Sequence, residues 1–287
     1  MFIKKKNKKL KKYKKFLESL VNELRYSIFD WDDNILVMDT PIHFKHLDSD
    51  KWVDYDASPK EFVQIKEKYP NYCDNPEWKC VENSFYEFRD FGPRGNNAFL
   101  YDTIDAIKNK DFGPSWEIFI NTLINGELFA IVTSRGHEPD SIRKTIEYII
   151  YNHIPTDKQT EMLRNLMKYK NEFKEDFEYL VDEYLDNCYY IGIMSQYFKK
   201  LANNDQDILK SLTLSKKYAI NYVIENFSKY STQVNKPVKI GFSDDDNDYL
   251  NVAKHIFMSN KEIIDDINFY LFDTSNPNIK GGKKYKI

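Results

Sequence analysis

The sequence predicts an α/β protein built on a doubly wound parallel sheet. Three short apolar runs, at 26–29, 128–132 and 238–242, each end in polar residues. Such runs are typical of buried strands whose ends deliver polar side chains to a site. Amphipathic helical segments alternate with these runs, which favours a parallel sheet. With 287 residues, the chain is long enough to bury a full core.

The first residues are rich in lysine. The sequence predicts a basic tail over 1–15, which is either simply solvated or attracts nucleic acid, another phosphate-rich polymer or anionic lipid. Apolar residues then recur at helical spacing from Leu17 to Leu24, so a helix is expected to pack this segment onto the body. The first strand follows at about 26–29.

Residues 41–112 differ in character from the segments on either side. They are rich in proline and aromatic residues and contain no long periodic helix. Ser58, Pro59 and Glu61 form the signature of a helix start with a capping box. A turn-rich loop is predicted near 88–95 and a short helix over 101–108. Since loops after a catalytic strand commonly carry substrate contacts, the segment is predicted to be a cap or substrate insertion.

The remaining elements follow from apolar spacing. A helix is predicted over 115–125, ending at Gly126, then the strand 128–132 and a helix over 140–151. A mainly helical insertion is expected over 153–212, with one strand near 188–194. A helix opens at Ser215, and the last predicted strand is 267–272. The predicted core therefore comprises 16–40, 113–152 and 213–275, and 276–287 is expected to be a second basic tail.

Two acidic clusters raise the alternative of calcium-binding loops. Each matches the first three ligand positions of an EF-hand: Asp30, Asp32 and Asn34, and Asp244, Asp246 and Asp248. That loop also requires glycine at its sixth position and glutamate at its twelfth. Neither cluster has them, and both clusters follow strand-like runs where an EF-hand has a helix. The calcium hypothesis therefore fails.

A magnesium site at the carboxyl edge of the sheet explains the acids better. Mg²⁺ prefers oxygen ligands and is commonly held by one or two carboxylates together with a substrate phosphate. Asp30 could then attack phosphorus as a nucleophile, with Asp32 as the general acid and base. Thr133 and a lysine near the start of the Ser215 helix would stabilise charge on the phosphoryl oxygens. The predicted metal ligands are Asp30 and Asp32, together with Asp244 or Asp245.

These motifs resemble those of the haloacid dehalogenase superfamily of phosphatases and phosphotransferases. The first motif of that family, Asp-x-Asp after an apolar strand, matches Asp30 and Asp32. The second, a strand ending in Thr or Ser, matches Thr133, with Ser134 continuing it. The third is a lysine at a helix start, for which Lys216 fits best and Lys217 second. The fourth is an acidic strand end, matched by the segment 241–248. The resemblance implies a Rossmannoid core and a cap-type insertion.

The chain departs from the family pattern at two positions. Asn34 stands where Thr or Val is usual, and Phe242-Ser243 stands where Asp often follows Gly. The metal ligand in the fourth motif therefore remains either Asp244 or Asp245. Within the superfamily, the second acid of the first motif is characteristic of phosphatases and mutases. The resemblance therefore implies hydrolysis of a phosphate ester rather than cleavage of a carbon–halogen bond.

Other polar residues near the motifs have both functional and structural interpretations. Arg135 would pair with a carboxylate near the site or lie on the surface, and Asp248 would hold the motif lysine or cap a helix. Arg89 and Arg94 would grip a second anionic group of the substrate or form local ion pairs. Structural or solvated roles are favoured for the remaining candidates: His43, His137, Asp33 and Asp246.

The expected function is a Mg²⁺-dependent phosphomonoesterase acting on a nucleotide, a nucleic-acid end or a small phosphorylated metabolite. The alternative is a catalytically silent scaffold of the same fold that engages an anionic partner through its basic tails. The three cysteines cannot all pair and form no CxxC, which favours a reduced, cytoplasmic protein. No run approaches the roughly 18 apolar residues that cross a membrane, so no membrane span is expected.

Overall fold

The computed structural model describes residues 24–92, 94–167, 176–231, 237–261 and 267–287. Its strands are β1 (Leu24–Phe29), β2 (Ile42–Asp48), β3 (Lys51–Ala57), β4 (Trp78–Cys80), β5 (Leu128–Thr133), β6 (Tyr189–Gly192), β7 (Val238–Asp244), β8 (Ile267–Asp273) and β9 (Lys283–Lys286). Its helices are α1 (Pro59–Lys68), α2 (Ala98–Asn109), α3 (Trp116–Ile124), α4 (Pro139–Asn152), α5 (Thr156–Leu166), α6 (Phe177–Leu185), α7 (Gln196–Leu201), α8 (Gln206–Leu209), α9 (Leu212–Ser231) and α10 (Asn247–Lys261).

A six-stranded sheet flanked by helices organises the molecule, in the order β6-β5-β1-β7-β8-β9. The strands from β6 to β8 run parallel, and β9 joins the edge antiparallel to β8. All six residues of β5 are buried, as expected for a strand covered on both faces. The predicted α/β class and mostly parallel sheet are confirmed, and the arrangement is compatible with a Rossmann-like fold.

The register of the central strands brings their carboxyl ends to one level. Phe29, the last residue of β1, pairs with Ile131 of β5 and with Ser243 of β7. The residue that follows β1 therefore lies between the ends of its two neighbours. Ligands of open α/β sheets bind at this edge.

A separate three-stranded antiparallel sheet, β3-β2-β4, lies in the segment between β1 and α2. Its β2–β3 hairpin turns through Ser49 and Asp50, both at positive φ, as a two-residue hairpin requires. The sequence predicted loops here, because this turn lacks the glycine that usually signals a hairpin. The predicted helix start is confirmed: Ser58 Oγ accepts from Glu61 N (3.3 Å), and Ser58 N donates to Glu61 Oε2 (2.8 Å).

Cys73 and Cys80 form a disulfide within this smaller sheet region, with their Cα atoms 4.4 Å apart. The backbone brings them together, since Cys80 N donates to Cys73 O at 2.9 Å. This result contradicts the expectation that the cysteines are reduced. Three cysteines can include one pair, and Cys188 is the buried free thiol that remains.

Basic tails were predicted at both ends of the chain, and the structure describes only the C-terminal one. Part of the expected C-terminal tail is β9, in which Lys284 and Lys286 pair with β8. The sequence does not predict this strand, because lysine is depleted in strands in general, although it is common on the edge strands of sheets. The predicted basic tail over 1–15 lies outside the described residues. So does the helix predicted after it, except for Leu24, which is the first residue of β1. No helix in the described ranges is both long and apolar enough to cross a membrane.

Candidate active site

Three polar residues meet where adjacent strands end. Asp30 follows β1, Thr133 ends β5 and Asp244 ends β7, and all three are buried. Asp30 N donates to Ser243 O at 2.9 Å, which continues the β1–β7 pairing into the site. The structure thus brings together the acids and the hydroxyl that the sequence predicted from three separate apolar runs.

Lys216 lies between two of these acids. Its Nζ is 2.8 Å from Asp30 Oδ1 and 2.7 Å from Asp244 Oδ2, and its side chain is 1% exposed. Burial alone would lower the pKa of Lys216, but Asp244 and Asp30 outweigh it, so the pKa is raised and the lysine stays charged. Lys217 is exposed to solvent. Of the two lysines between which the sequence left the choice open, Lys216 is therefore the buried one beside the acids.

Asp30, Asp244 and Asp245 form a compact acidic group whose ligand oxygens lie within 4.8 Å of one another. Burial and the neighbouring acids raise the pKa of Asp30, although Lys216 opposes this effect. Burial, Asp244 and Asp33 raise the pKa of Asp245 to about 7. Three carboxylates facing one ammonium group leave excess negative charge, and a divalent cation is suited to neutralise it.

Asp32 lies apart from this acidic group and pairs with Arg135. Arg135 Nε donates to both oxygens of Asp32 (3.0 and 2.9 Å), and Nη2 donates to Oδ1 (2.7 Å). The Asp32 side chain is 32% exposed, whereas Arg135 is 1% exposed. The sequence predicted the Asp32 side chain as a metal ligand, but the structure directs it to Arg135. The alternative in which Arg135 is a surface residue is wrong.

The loop after β5 lines the side of the site opposite β7. Thr133 Oγ1 lies 3.5 Å from Asp32 Oδ2 and accepts from Arg135 N at 3.3 Å. Ser134 Oγ lies 3.4 Å from the hydroxyl of Tyr249, whose ring covers Lys216 Nζ at 3.9 Å. Tyr249 therefore shields the buried lysine, a contact that the sequence did not indicate.

Asn34 ties the ends of three strands together. Its Nδ2 donates to Asp30 O (3.0 Å) and to Ser243 O (3.1 Å). Its Oδ1 accepts from Ser243 Oγ (2.8 Å) and from Thr274 Oγ1 (2.9 Å), just after β8. The sequence indicates Asn34 only as a calcium-loop candidate and a departure from a family pattern, and Ser243 only as such a departure. In the structure they form one buried network that Ser115 Oγ extends, 2.6 Å from Ser243 Oγ.

The two predicted substrate arginines have different environments. Arg94 forms local ion pairs, with Nε 2.5 Å from Glu87 Oε2 and its terminal nitrogens on Asp102. Arg89 packs its stem over Gly136, and its buried Nε has no hydrogen-bond partner among the described residues. The ion pairs of Arg94 therefore agree with the structural alternative for that residue, whereas Arg89 forms none with the described residues.

The remaining candidates have structural or solvated positions. His137 is fully buried and its Nδ1 lies 2.8 Å from Asp90 Oδ1, while burial lowers the pKa of His137. His43 lies 2.6 Å from Asp56 in the smaller sheet. Asp248 is exposed in the first turn of α10, which agrees with the helix-end alternative. The side chains of Asp33 and Asp246 are also exposed.

Comparisons with known proteins identified no relative of this chain. A scan of protein-family models, a search of curated proteins and a search of solved structures each found no match for this chain.

Proposed function

We propose that the protein is a Mg²⁺-dependent phosphohydrolase that works through an aspartyl-phosphate on Asp30. The observation that carries this proposal is the buried Lys216, whose Nζ joins Asp30 and Asp244 at the ends of adjacent strands beside Asp245. Burying the three charged groups of Asp30, Asp244 and Lys216 is costly unless they stabilise one another or bind a ligand. Phosphoryl transfer needs this combination of a carboxylate nucleophile and fixed positive charge.

The residues fit a divalent cation as a resident group. Asp30, Asp244 and Asp245 offer oxygen ligands of the kind that Mg²⁺ prefers, and their negative charge exceeds the positive charge of Lys216. Bound Mg²⁺ would neutralise charge on the phosphoryl oxygens. Lys216 takes one oxygen of Asp30 and holds that carboxylate in place.

In the first chemical step, a carboxylate oxygen of Asp30 attacks phosphorus. A bond forms between phosphorus and Asp30 while the bond to the leaving oxygen breaks, and Asp32 gives its proton to that oxygen. In the second step, water attacks the phosphorus of the aspartyl-phosphate and gives its proton to Asp32. Phosphate leaves and the Asp30 carboxylate is restored. Thr133 and Ser134 border the position of the phosphoryl oxygens.

The segment between β1 and α3 is proposed to act as a cap that selects the substrate. It contains the smaller sheet and contacts the loop after β5, because Gly136 N donates to Phe88 O at 2.8 Å. Arg89 lies on this contact and would bind a second anionic group of the substrate. The chain between α4 and α9 is proposed as a helical elaboration of a core of haloacid dehalogenase type.

A substrate panel with and without Mg²⁺ tests the proposal. Wild type and Asp30→Asn are compared on an aryl phosphate, nucleotides, 3′- and 5′-phosphorylated oligonucleotides and sugar phosphates. Hydrolysis that requires Mg²⁺ and is lost in Asp30→Asn is expected. Asp246→Asn is the matched control, since Asp246 is an exposed acid just after the adjacent strand β7. Equal rates for wild type and Asp30→Asn on every substrate would reject the enzyme and leave the scaffold alternative.

A further inference from the structure

We infer that Arg135 is a positioning residue that orients Asp32 for proton transfer, and that the segment between β1 and α3 holds Arg135 in place. This inference rests on the proposed function. The forked contact engages both oxygens of Asp32, from Nε and Nη2 of a single guanidinium group. A two-point contact fixes the plane of a carboxylate, whereas a single contact leaves it free to rotate.

The guanidinium group of Arg135 is itself held by two aromatic rings and by the hydroxyl of Thr40. Its central carbon lies over the Phe88 ring at 4.6 Å and the Phe99 ring at 5.5 Å. Nη2 also donates to Thr40 Oγ1 at 2.7 Å. Stacking on aromatic rings and forked donation are both properties of arginine that lysine lacks. The Asp32 side chain is one-third exposed, so its orientation depends on its buried partner.

The contacts of Arg135 continue into the segment between β1 and α3. Thr40 Oγ1, which accepts from Arg135, donates to Asp102 Oδ2 at 2.5 Å. Arg135 Nη1 lies 3.8 Å from the same Asp102 oxygen. Asp102 in turn binds Arg94, which reaches Glu87. Phe88 and Phe99 belong to the same segment. The position of this segment against the loop after β5 therefore affects the orientation of Asp32.

A misplaced Asp32 has a defined chemical consequence. When the P–O bond to the substrate breaks, an alkoxide leaving oxygen must receive a proton from Asp32, whereas a nitrophenolate is stable enough to leave without one. Loss of orientation therefore slows the first step for alkyl phosphates and has little effect on that step for aryl phosphates. A general loss of folding or of phosphate binding would slow both substrates equally.

The experiment compares kcat/KM for p-nitrophenyl phosphate and for glycerol phosphate in the full chain with Mg²⁺, because kcat/KM reports the first step and not the hydrolysis of the aspartyl-phosphate that both substrates share. Arg135→Lys keeps the positive charge but loses the two-point contact with the Asp32 carboxylate. General acids contribute about 10²–10⁴-fold, so Arg135→Lys is expected to lower the alkyl rate by about tenfold or more relative to the aryl rate. Combining it with Asp32→Asn should not lower the alkyl rate below that of Asp32→Asn alone, since both act through one group.

Thr40 provides a second test that leaves both Arg135 and Asp32 unchanged. Thr40→Val removes the hydroxyl that Arg135 and Asp102 share, and Thr40→Ser retains it. Thr40→Val should shift the alkyl-to-aryl ratio in the same direction as Arg135→Lys, and Thr40→Ser should keep the wild-type ratio. These variants decide the question even if Arg135→Lys folds poorly.

Arg143→Lys is the matched control, because Arg143 also binds several carboxylates, Glu147, Asp182 and Asp186, away from the site. It should leave the ratio unchanged. An equal loss on both substrates in Arg135→Lys, or a wild-type ratio in Thr40→Val, overturns the inference while the proposed function stands. If wild type turns over neither these two substrates nor any member of the panel, the proposed function fails and this inference fails with it.

Discussion

Lys216 and Lys217 are adjacent on α9 but have opposite environments. Lys216 lies 2.8 Å from Asp30 and 2.7 Å from Asp244, whereas Lys217 faces solvent. Consecutive helical residues point about 100° apart, so only one of two neighbouring lysines can enter the site. The sequence could place a lysine at this helix start, but it could not tell which of the two faces the sheet.

Lys216→Met and Lys217→Met separate these two roles. Removing Lys216 leaves Asp30 and Asp244 buried without their cation, so unfolding free energy should fall by about 3–5 kcal/mol. Lys217→Met should change it by less than about 0.5 kcal/mol, as expected for an exposed site. Urea unfolding followed by circular dichroism measures both variants. Equal stabilities would show that Lys216 is not the buried partner of the two acids.

Asp245 makes stability and metal binding depend on pH. Its pKa is raised to about 7 by burial and by Asp244 and Asp33. Because the folded state then holds a proton that the unfolded chain releases near pH 4, stability should fall as pH rises from about 4 to about 7. Mg²⁺ competes with that proton, so the rise in Tm caused by Mg²⁺ should be small at pH 5 and larger at pH 8.

Thermal unfolding with and without Mg²⁺ across this pH range measures the effect. Asp245→Asn should remove most of the Mg²⁺-dependent rise at pH 8, and Asp246→Asn, at an exposed neighbouring acid, should retain it. A Mg²⁺ effect that does not change between pH 5 and pH 8 would contradict the assignment of Asp245 as a metal ligand.

At the scale of elements, Asn34 connects the ends of β1 and β7 with the residue after β8. It is fully buried, and Ser243 and Thr274, its partners, lie 209 and 240 residues further along the chain. The apolar runs and the acids that follow them were predictable, because the central residues of a strand are buried and the residues after it lie at the edge of the sheet. The Asn34 network was not, since contacts over such separations leave no local pattern in the sequence.

Asn34→Ala should be strongly destabilising. It removes four hydrogen bonds. Asp30 O and Thr274 Oγ1 lose the Asn34 side chain, while Ser243 keeps Asp30 N and Ser115 Oγ as partners, and one unsatisfied buried group costs about 1–3 kcal/mol. A loss of about 3 kcal/mol or more in unfolding free energy is therefore expected. Asn251→Ala on the exposed face of α10 is the control and should change stability by less than about 0.5 kcal/mol. A loss below about 1 kcal/mol for Asn34→Ala would argue against the network.

At the scale of the whole molecule, the two sheets differ in how they are stabilised. The six-stranded sheet has a large core, whereas the described core of the smaller sheet has four buried apolar residues, Ile42, Phe44, Ala57 and Ile65. The Cys73–Cys80 disulfide adds a covalent link to this smaller sheet. Counting three cysteines in the sequence could not reveal which two the backbone brings together.

Thiol labelling tests this arrangement. Without reductant, the native protein should react at no cysteine, because Cys73 and Cys80 are paired and Cys188 is buried with its pKa raised by that burial to about 12. Mild reduction should expose Cys73 and Cys80, and Cys188 should react only after unfolding. Cys80→Ser should destabilise the protein by about 2 kcal/mol. Labelling of Cys73 or Cys80 without reductant would contradict the disulfide.

The most direct test of the central claim is to trap the phosphoryl group on the protein. Wild type and Asp30→Asn are mixed with substrate and Mg²⁺, quenched in acid and digested, and the peptides are mapped by mass spectrometry. The proposed mechanism predicts a phosphorylated peptide that contains Asp30 in wild type and no such peptide in Asp30→Asn. Rapid turnover by wild type without phosphorylation of Asp30, or phosphorylation of another residue, would contradict it.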